Sequence, residues 1–323
     1  MTSLQPPTFK DVLAARKRIA PYLRPTPLYH YSLLDELVGT EVWVKHENHQ
    51  PVGAFKPRGG INLVAQLSPD EREKGIITAS TGNHGQSIAY AARLFGVRAI
   101  VGMPEGANPG KVAAIRGRGA EILFHGKDFD AARQRVEELA KQEGYRYVSS
   151  GDEPHLIAGV GTYTLEILEE LPDAEVIIVP VGGGSGASGT CIVAKAVNPA
   201  IQVFGCQAEK APAAYLTWKD RERVESKMET FAEGLATRAP FMLPQSILWK
   251  HLDDFVLVSE EGMLRGIVQY LETTHNLAEG AAAAALAGAI KMRDRLKGRK
   301  VVLIMSGGNL SLANLRRALE LDR

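Results

Sequence analysis

A lysine held between glycines, Gly53-Ala54-Phe55-Lys56-Pro57-Arg58-Gly59-Gly60, is the first group in this sequence with the makings of covalent chemistry. Pro57 suits the first position of a helix over 58–66, which places Lys56 just before it. A lysine stripped of water loses part of its affinity for a proton, and a neutral amine is what addition to a carbonyl requires. The same lysine also reads as an ordinary surface residue at a helix start. A second signal is the apolar run 176–181 entering Gly182-Gly183-Gly184-Ser185-Gly186 and then a helix over 187–197. Without Cβ atoms such a loop can aim its amides at a phosphate, with the helix start adding partial positive charge and Ser185 a hydroxyl. Its plain alternative is a tight strand-to-helix turn with no ligand. Ser80-Thr81-Gly82-Asn83-His84 repeats the arrangement ahead of a helix over 87–95, at a size that suits a carboxylate, or else as a turn whose Asn83 caps the helix. Ser306-Gly307-Gly308-Asn309 closes another apolar strand, where Ser306 offers a hydroxyl or merely satisfies backbone.

These segments sit at the ends of short β-branched runs that alternate with helical patterns, the mark of βαβ units and an α/β class. Strands are predicted at 41–46, 76–79, 98–102, 121–124, 147–149, 176–181, 202–206, 255–258 and 301–305. Ser68-Pro69-Asp70-Glu71 forms a capping box and Asn108-Pro109 repeats the cap-then-proline pattern, while Gly75, Gly96 and Gly144 read as helix stops. The block 74–149 predicts a small inserted α/β domain, with 1–66 and 151–323 forming the larger one and a ligand cleft between them.

Composition narrows the partners. The chain has 323 residues, 45% of them hydrophobic, and 38 Lys plus Arg against 37 Asp plus Glu. That balance excludes disorder as the main state and offers no electrostatic footprint for nucleic acid or an anionic membrane. Cys191 and Cys206 are the only cysteines, too few for a disulfide scaffold or a four-cysteine zinc site, and they favour a reducing cytoplasm. The start MTSLQPPTFK has no apolar core of a leader, and the alanine-rich stretch 281–287 is too short to span a bilayer.

Taken together and in order, these motifs resemble the fold type II pyridoxal-phosphate enzymes, tryptophan synthase β-like in fold, and within them the threonine/serine dehydratase and serine racemase branch. Arg24-Pro25-Thr26-Pro27-Leu28 matches the N-terminal segment of that family, and the four motifs above match the rest. The resemblance implies two doubly wound α/β lobes with pyridoxal 5'-phosphate in the cleft and the smaller lobe closing over the substrate. It implies Lys56 as the Schiff-base lysine and the base at the substrate α-carbon, with Asn83 on the ring hydroxyl oxygen. Gly182, Gly183, Gly184, Ser185 and Gly186 would hold the phosphate, Ser306 would meet the pyridine nitrogen, and Gly234 would pass close to the ring. Ser80, Thr81, Gly82, Asn83 and His84 would hold the substrate carboxylate. The activity implied is β-elimination from a β-hydroxy-α-amino acid, L-threonine or L-serine by default, to a 2-oxo acid and ammonia by a homodimer. A neutral Ser306 stabilises a ring cation less than an aspartate would, which suits prompt expulsion of a β-substituent better than transamination. No side-chain acid for the departing hydroxide stands out, and the cofactor phosphate is the expected one.

Departures from the family pattern refine this. Thr81 stands where racemases carry a serine, so racemisation is not expected as the main activity. Gln207, Ala211 and Ala213 occupy the racemase metal-ligand positions, so no metal site is predicted there. His84 favours dehydratases over β-replacement enzymes, which are the runner-up. The variants Ser-Thr-Gly-Asn and Gly-Gly-Gly-Ser-Gly also resemble dehydratases of bulkier or acidic substrates, such as phenylserine or hydroxyaspartate. Glu279 either faces the cofactor or caps the alanine-rich helix. The sequence ends soon after Asn309, so a C-terminal regulatory domain is not expected. Outside this class, a non-catalytic binder of pyridoxal phosphate or a nucleotide-binding protein would use the 182–186 loop without needing Lys56 as a base.

Overall fold

A computed structural model describes residues 4–321, so the first three residues and the last two of the expected larger lobe, and the start of the MTSLQPPTFK segment, lie outside the described residues. The described residues form two sheets. Ten strands run in order: β1 (Leu28–His30), β2 (Glu41–His46), β3 (Ile76–Ala79), β4 (Ala99–Met103), β5 (Glu121–Phe124), β6 (Arg146–Tyr147), β7 (Val176–Pro180), β8 (Gln202–Ala208), β9 (Asp254–Val258) and β10 (Lys300–Met305). Six of them make a sheet ordered β1-β2-β10-β7-β8-β9, and the other four a sheet ordered β5-β4-β3-β6. Every pairing is parallel except β1 with β2. Parallel strands need helical crossovers that cover both faces, which is why β3, β4 and β7 and all but the first residue of β10 are buried or nearly so.

The alanine-rich segment is the helix Gly280–Lys291, and its residues 280–289 are all buried. Alanine side chains let this helix lie close against β7, β8, β9 and β10. Helix Pro57–Val64, which follows Lys56, is buried on every side and packs between helices Asn83–Leu94 and Pro154–Val160. Beneath it sits a desolvated charge cluster. Arg58 donates Nε to Glu47 Oε2 at 2.7 Å and Nη1 to Glu166 Oε1 at 2.6 Å, while Lys45 Nζ meets Glu166 Oε2 at 2.6 Å. Each buried charge there has a partner of opposite sign, the condition under which such a group is tolerated.

The predicted caps form: Ser68 makes the reciprocal capping box and Asn108 accepts from Gly110 and Lys111. Beyond boundary shifts of one or two residues, two elements differ from the sequence reading. Strand β1 was not expected, because Pro25 and Pro27 mask a short edge strand whose ladder needs few amides. Helix Asn83–Leu94 starts four residues earlier than the predicted 87, because Ser80 Oγ accepts from Gly85 N–H at 2.9 Å and from Gly82 N–H at 3.2 Å. That local cap draws the poor helix formers Asn83, His84 and Gly85 into the first turn. No helix among the described residues is long and apolar enough to cross a membrane.

Candidate active site

The carboxyl ends of β3, β7 and β10 converge on one cleft, where ligands of parallel sheets usually sit. The loop before Lys56 reaches it by pairing with the segment after β10. Phe55 N–H donates to Ser306 C=O at 3.0 Å, Gly308 N–H to Gly53 C=O at 2.9 Å, and Ala54 bridges Gly307. This short ladder brings Lys56 and Ser306, 250 positions apart in sequence, to one place.

Lys56 is half-buried, and its Nζ donates to Ser185 Oγ at 3.2 Å with no carboxylate paired to it among the described residues. Burial lowers its pKa to about 8, opposed only by the charge of Glu279. Ser185 opens helix Ser185–Val197, whose N-cap Gly184 sits in the left-handed region at φ +86° with no side-chain cap. None of the amides over 183–187 finds an acceptor among the described residues. Those free donors at a helix start are an anion cradle. A Cβ on Gly182 would lie 2.0 Å from Gly234 C=O, so this wall of the cradle admits only glycine.

Glu279 reaches the cleft by backbone and side chain. Its N–H donates to Gly307 C=O at 3.0 Å, and its carboxylate accepts from Asn83 Nδ2 at 2.9 and 3.2 Å. It stands at the N-cap of the alanine-rich helix but makes no capping hydrogen bond, so the capping alternative is not what the side chain does. Burial pushes its pKa up to about 7, against the hydrogen bond from Asn83. Gly234 lies beside it, its Cβ position 3.7 Å from Glu279 Oε1.

Lys56, Asn83, Gly182, Gly183, Gly184, Ser185, Gly186, Gly234, Glu279 and Ser306 are thus gathered by the fold. The 80–84 segment is split. Gly82 and Asn83 face the cleft side of the helix start and Thr81 is half-buried, but the Ser80 oxygen is taken up as the cap described above. The His84 ring lies inward against Thr78, Nε2 to Oγ1 at 2.9 Å. Thr78 donates its only hydroxyl proton to Val148 C=O at 2.8 Å, so His84 Nε2 carries the proton. Burial lowers the His84 pKa to about 3, which leaves a neutral ring unable to act as a cationic carboxylate anchor. Gln207 spends its Oε1 on Tyr215 N–H at 2.9 Å, and no cluster of His, Cys, Asp or Glu suited to a metal occurs among the described residues.

The sequence reading passed over Lys111 and Asn309 as actors. Lys111 pairs with Glu233, next to Gly234, and its pKa is lowered by burial, against the charge of Glu279. Only its pairing across the fold reveals it, since nothing in its neighbours along the chain marks it. The residues fit pyridoxal phosphate on two structural grounds: an amine with a depressed pKa, and beside it a glycine cradle whose amides lack acceptors.

Comparison with known proteins bears on the same point. The profile of the family described as pyridoxal-phosphate dependent enzyme matches residues 19–307. The L-threonine ammonia-lyase of Thermotoga maritima is 39% identical over 312 residues, covering 96% of this chain and 77% of that protein. The L-threo-3-hydroxyaspartate ammonia-lyase of Saccharomyces cerevisiae is 35% identical over 307 residues, covering 95% and 94%. The crystal structure of serine racemase from Dictyostelium discoideum superposes with a TM-score of 0.89 at 35% identity, covering 95% of this chain and 99% of the other.

Proposed function

Because this chain belongs to the pyridoxal-phosphate-dependent enzyme family, we propose that it is an ammonia-lyase that converts L-threonine or L-serine to a 2-oxo acid and ammonia, the water lost in the elimination being regained on hydrolysis. The observation that carries this reading is the half-buried Lys56 amine, which among the described residues meets no carboxylate, beside glycine-loop amides that find no acceptor there. Bound pyridoxal phosphate supplies a carbonyl for amines and a ring that accepts the electrons released at the substrate α-carbon.

The chain does the remainder. The amides over 183–187 and the Ser185 hydroxyl would hold the phosphate, and Ser306 would meet the pyridine nitrogen. The first turn of the helix holds the substrate carboxylate through the Asn83 and His84 backbone N–H groups, which have no acceptor among the described residues, since the His84 ring is neutral and turned away and Gly82 N–H is taken by Ser80. Lys56 Nζ takes the proton from the α-carbon, for which a pKa near 8 leaves enough free amine at neutral pH. Loss of hydroxide from the β-carbon, with one proton, and uptake of one water on release of ammonia balance the reaction without an oxidant. L-threonine should yield 2-oxobutanoate and ammonia in equal amounts, and Lys56→Ala should lower the rate by at least about 10,000-fold. Ready keto-acid formation by the variant would refute the assignment.

A second reading, an acidic β-hydroxy substrate, is favoured by Lys111 at the cleft wall and by the yeast relative. Turnover of L-threo-3-hydroxyaspartate in preference to L-threonine would establish it, and L-threo-phenylserine assayed alongside covers a bulky one. In both readings 74–149 is the lobe that closes on the substrate and 1–66 with 151–323 is the lobe that holds the cofactor. Two ion pairs reach from the smaller part to the segment around Gly234, Lys111 with Glu233 and Asp130 with Arg238 at 3.5 Å. Salt should therefore raise KM for the amino acid about twofold by screening them, and a KM indifferent to ionic strength would count against closure. The enzyme works as a homodimer in a reducing cytoplasm, to be checked by sedimentation; both thiols, Cys191 and Cys206, are free and buried.

A further inference from the structure

We propose that Asn309 is a positioning residue: it decides which way round the Asn83 carboxamide sits and so turns the Asn83 N–H donors toward Glu279 and the ring site. This rests on the functional reading above. The two ends of a carboxamide have nearly the same shape, so only hydrogen-bond partners choose between them. The choice starts at a backbone carbonyl, which can only accept. Asn309 Nδ2 donates to Val52 C=O at 2.8 Å and to Asn83 Oδ1 at 2.8 Å, which uses both of its protons. With its oxygen so engaged, Asn83 turns Nδ2 toward Glu279, where one proton serves both carboxylate oxygens at 2.9 and 3.2 Å. The second proton of that amide has no acceptor in the chain among the described residues and is free for a ligand oxygen.

Asn309 is itself held by a close approach that the sequence allows in one way. Gly53 has φ +69°, and a Cβ there would lie 2.9 Å from Asn309 Oδ1. The Lys56 loop, the segment after β10, the start of helix Asn83–Leu94 and Glu279 are therefore linked through one side chain. The direction of the links matters chemically. Donation by Asn83, with the Asn309 main-chain N–H on the same carboxylate, favours the ionised form of Glu279, while burial opposes it. Lys56 and Lys111 are the charged groups that face Glu279, and both also favour its ionisation.

The test uses the holoenzyme and the variants Asn309→Ala, Asn309→Asp, Asn83→Ala and the Asn83→Ala/Asn309→Ala pair. Pyridoxal phosphate affinity is measured by titrating stripped protein, and the pH midpoint of the bound cofactor's visible band is followed alongside kcat/KM. Loss of the hydrogen bond that orients Asn83 is expected to weaken cofactor binding roughly tenfold in Asn309→Ala. Asn309→Asp, whose carboxylate cannot donate to the Asn83 oxygen, should invert the Asn83 amide and displace the pH midpoint by about one unit. In the Asn83→Ala background, removing Asn309 should change affinity and kcat/KM less than about twofold, because its effect passes through Asn83. Fully additive losses, or an Asn309→Ala protein with lowered Tm but unchanged affinity and pH midpoint, would overturn the proposal. Should Asn309→Ala not fold, Asn309→Ser carries the same comparison. Wild-type protein that bound no pyridoxal phosphate at Lys56 would overturn the functional reading itself, an outcome distinct from additivity among variants of a loaded enzyme.

Discussion

At the end of β7 the chain turns through Gly182, Gly183 and Gly184 and leaves the amides over 183–187 without an acceptor among the described residues; at the end of β3 the matching turn fills itself with the Ser80 hydroxyl. Both are strand, turn and helix at the carboxyl edge of a parallel sheet. The first is built from backbone and cannot relax, since Gly182 abuts Gly234 and Gly184 needs a left-handed φ. The second is closed by side chains, with Ser80 Oγ accepting from the Gly82 and Gly85 backbone N–H groups and the Asn83 carboxamide held between Asn309 and Glu279. The difference teaches that a helix start becomes a strong anion site when the chain withholds its own caps, and a gentler one when it supplies them. On the function proposed above, the first design would suit a tightly held phosphate and the second an exchangeable carboxylate.

Three substitutions probe that contrast, the largest effect first. Gly182→Ala would drive a Cβ to 2.0 Å from Gly234 C=O, and cofactor affinity should fall by at least about 100-fold as the cradle distorts. Near-normal binding would mean that the backbone wall is not what shapes the site. Ser80→Ala removes the cap of the second loop, and KM for the amino acid should rise roughly fivefold, in line with a cap worth about 1 kcal/mol. Cofactor affinity should scarcely move, and equal damage to both constants would erase the distinction between the loops.

The smallest effect concerns Glu279, which the second loop leans on. Its folded pKa, about 7, lies above the ordinary 4.5, so between those values the folded chain holds a proton that the unfolded chain has released. Stability from this group is thus full below pH 4.5 and falls as pH rises toward 7. Glu279→Gln removes the decline, and cofactor-free variant at pH 8 should be more stable on the order of 1 kcal/mol, with water in the cleft moderating the gain. Thermal melts from pH 5 to 8 that keep a constant gap between wild type and variant would show that Glu279 is not the group responsible.

Lys56, the 182–186 loop and Ser306 were legible because their signals are local: a lysine before a helix-starting proline, glycines where a strand meets a helix, a buried strand ending in Ser-Gly-Gly. The nine strands anticipated all exist with shifts of one or two residues, because apolar runs between helical patterns survive in any parallel sheet. His84 was read as a carboxylate ligand from its motif, yet its ring turns inward to Thr78, since rotation about one side chain leaves no trace in spacing. Glu279 stood between two roles for the same reason. Its hydrogen bonds to Asn83 join residues 196 positions apart.

The sequence by itself determined the α/β class, the parallel strands and the chemical types gathered at their ends, because periodicity, glycine and proline act through neighbours on the chain. Tertiary structure alone decided which donors remain free, which way Asn83 faces, and that Lys56 meets Ser185 rather than a carboxylate. Those outcomes depend on desolvation and on hydrogen bonds between distant segments, and both exist only once the two sheets have closed around the cleft.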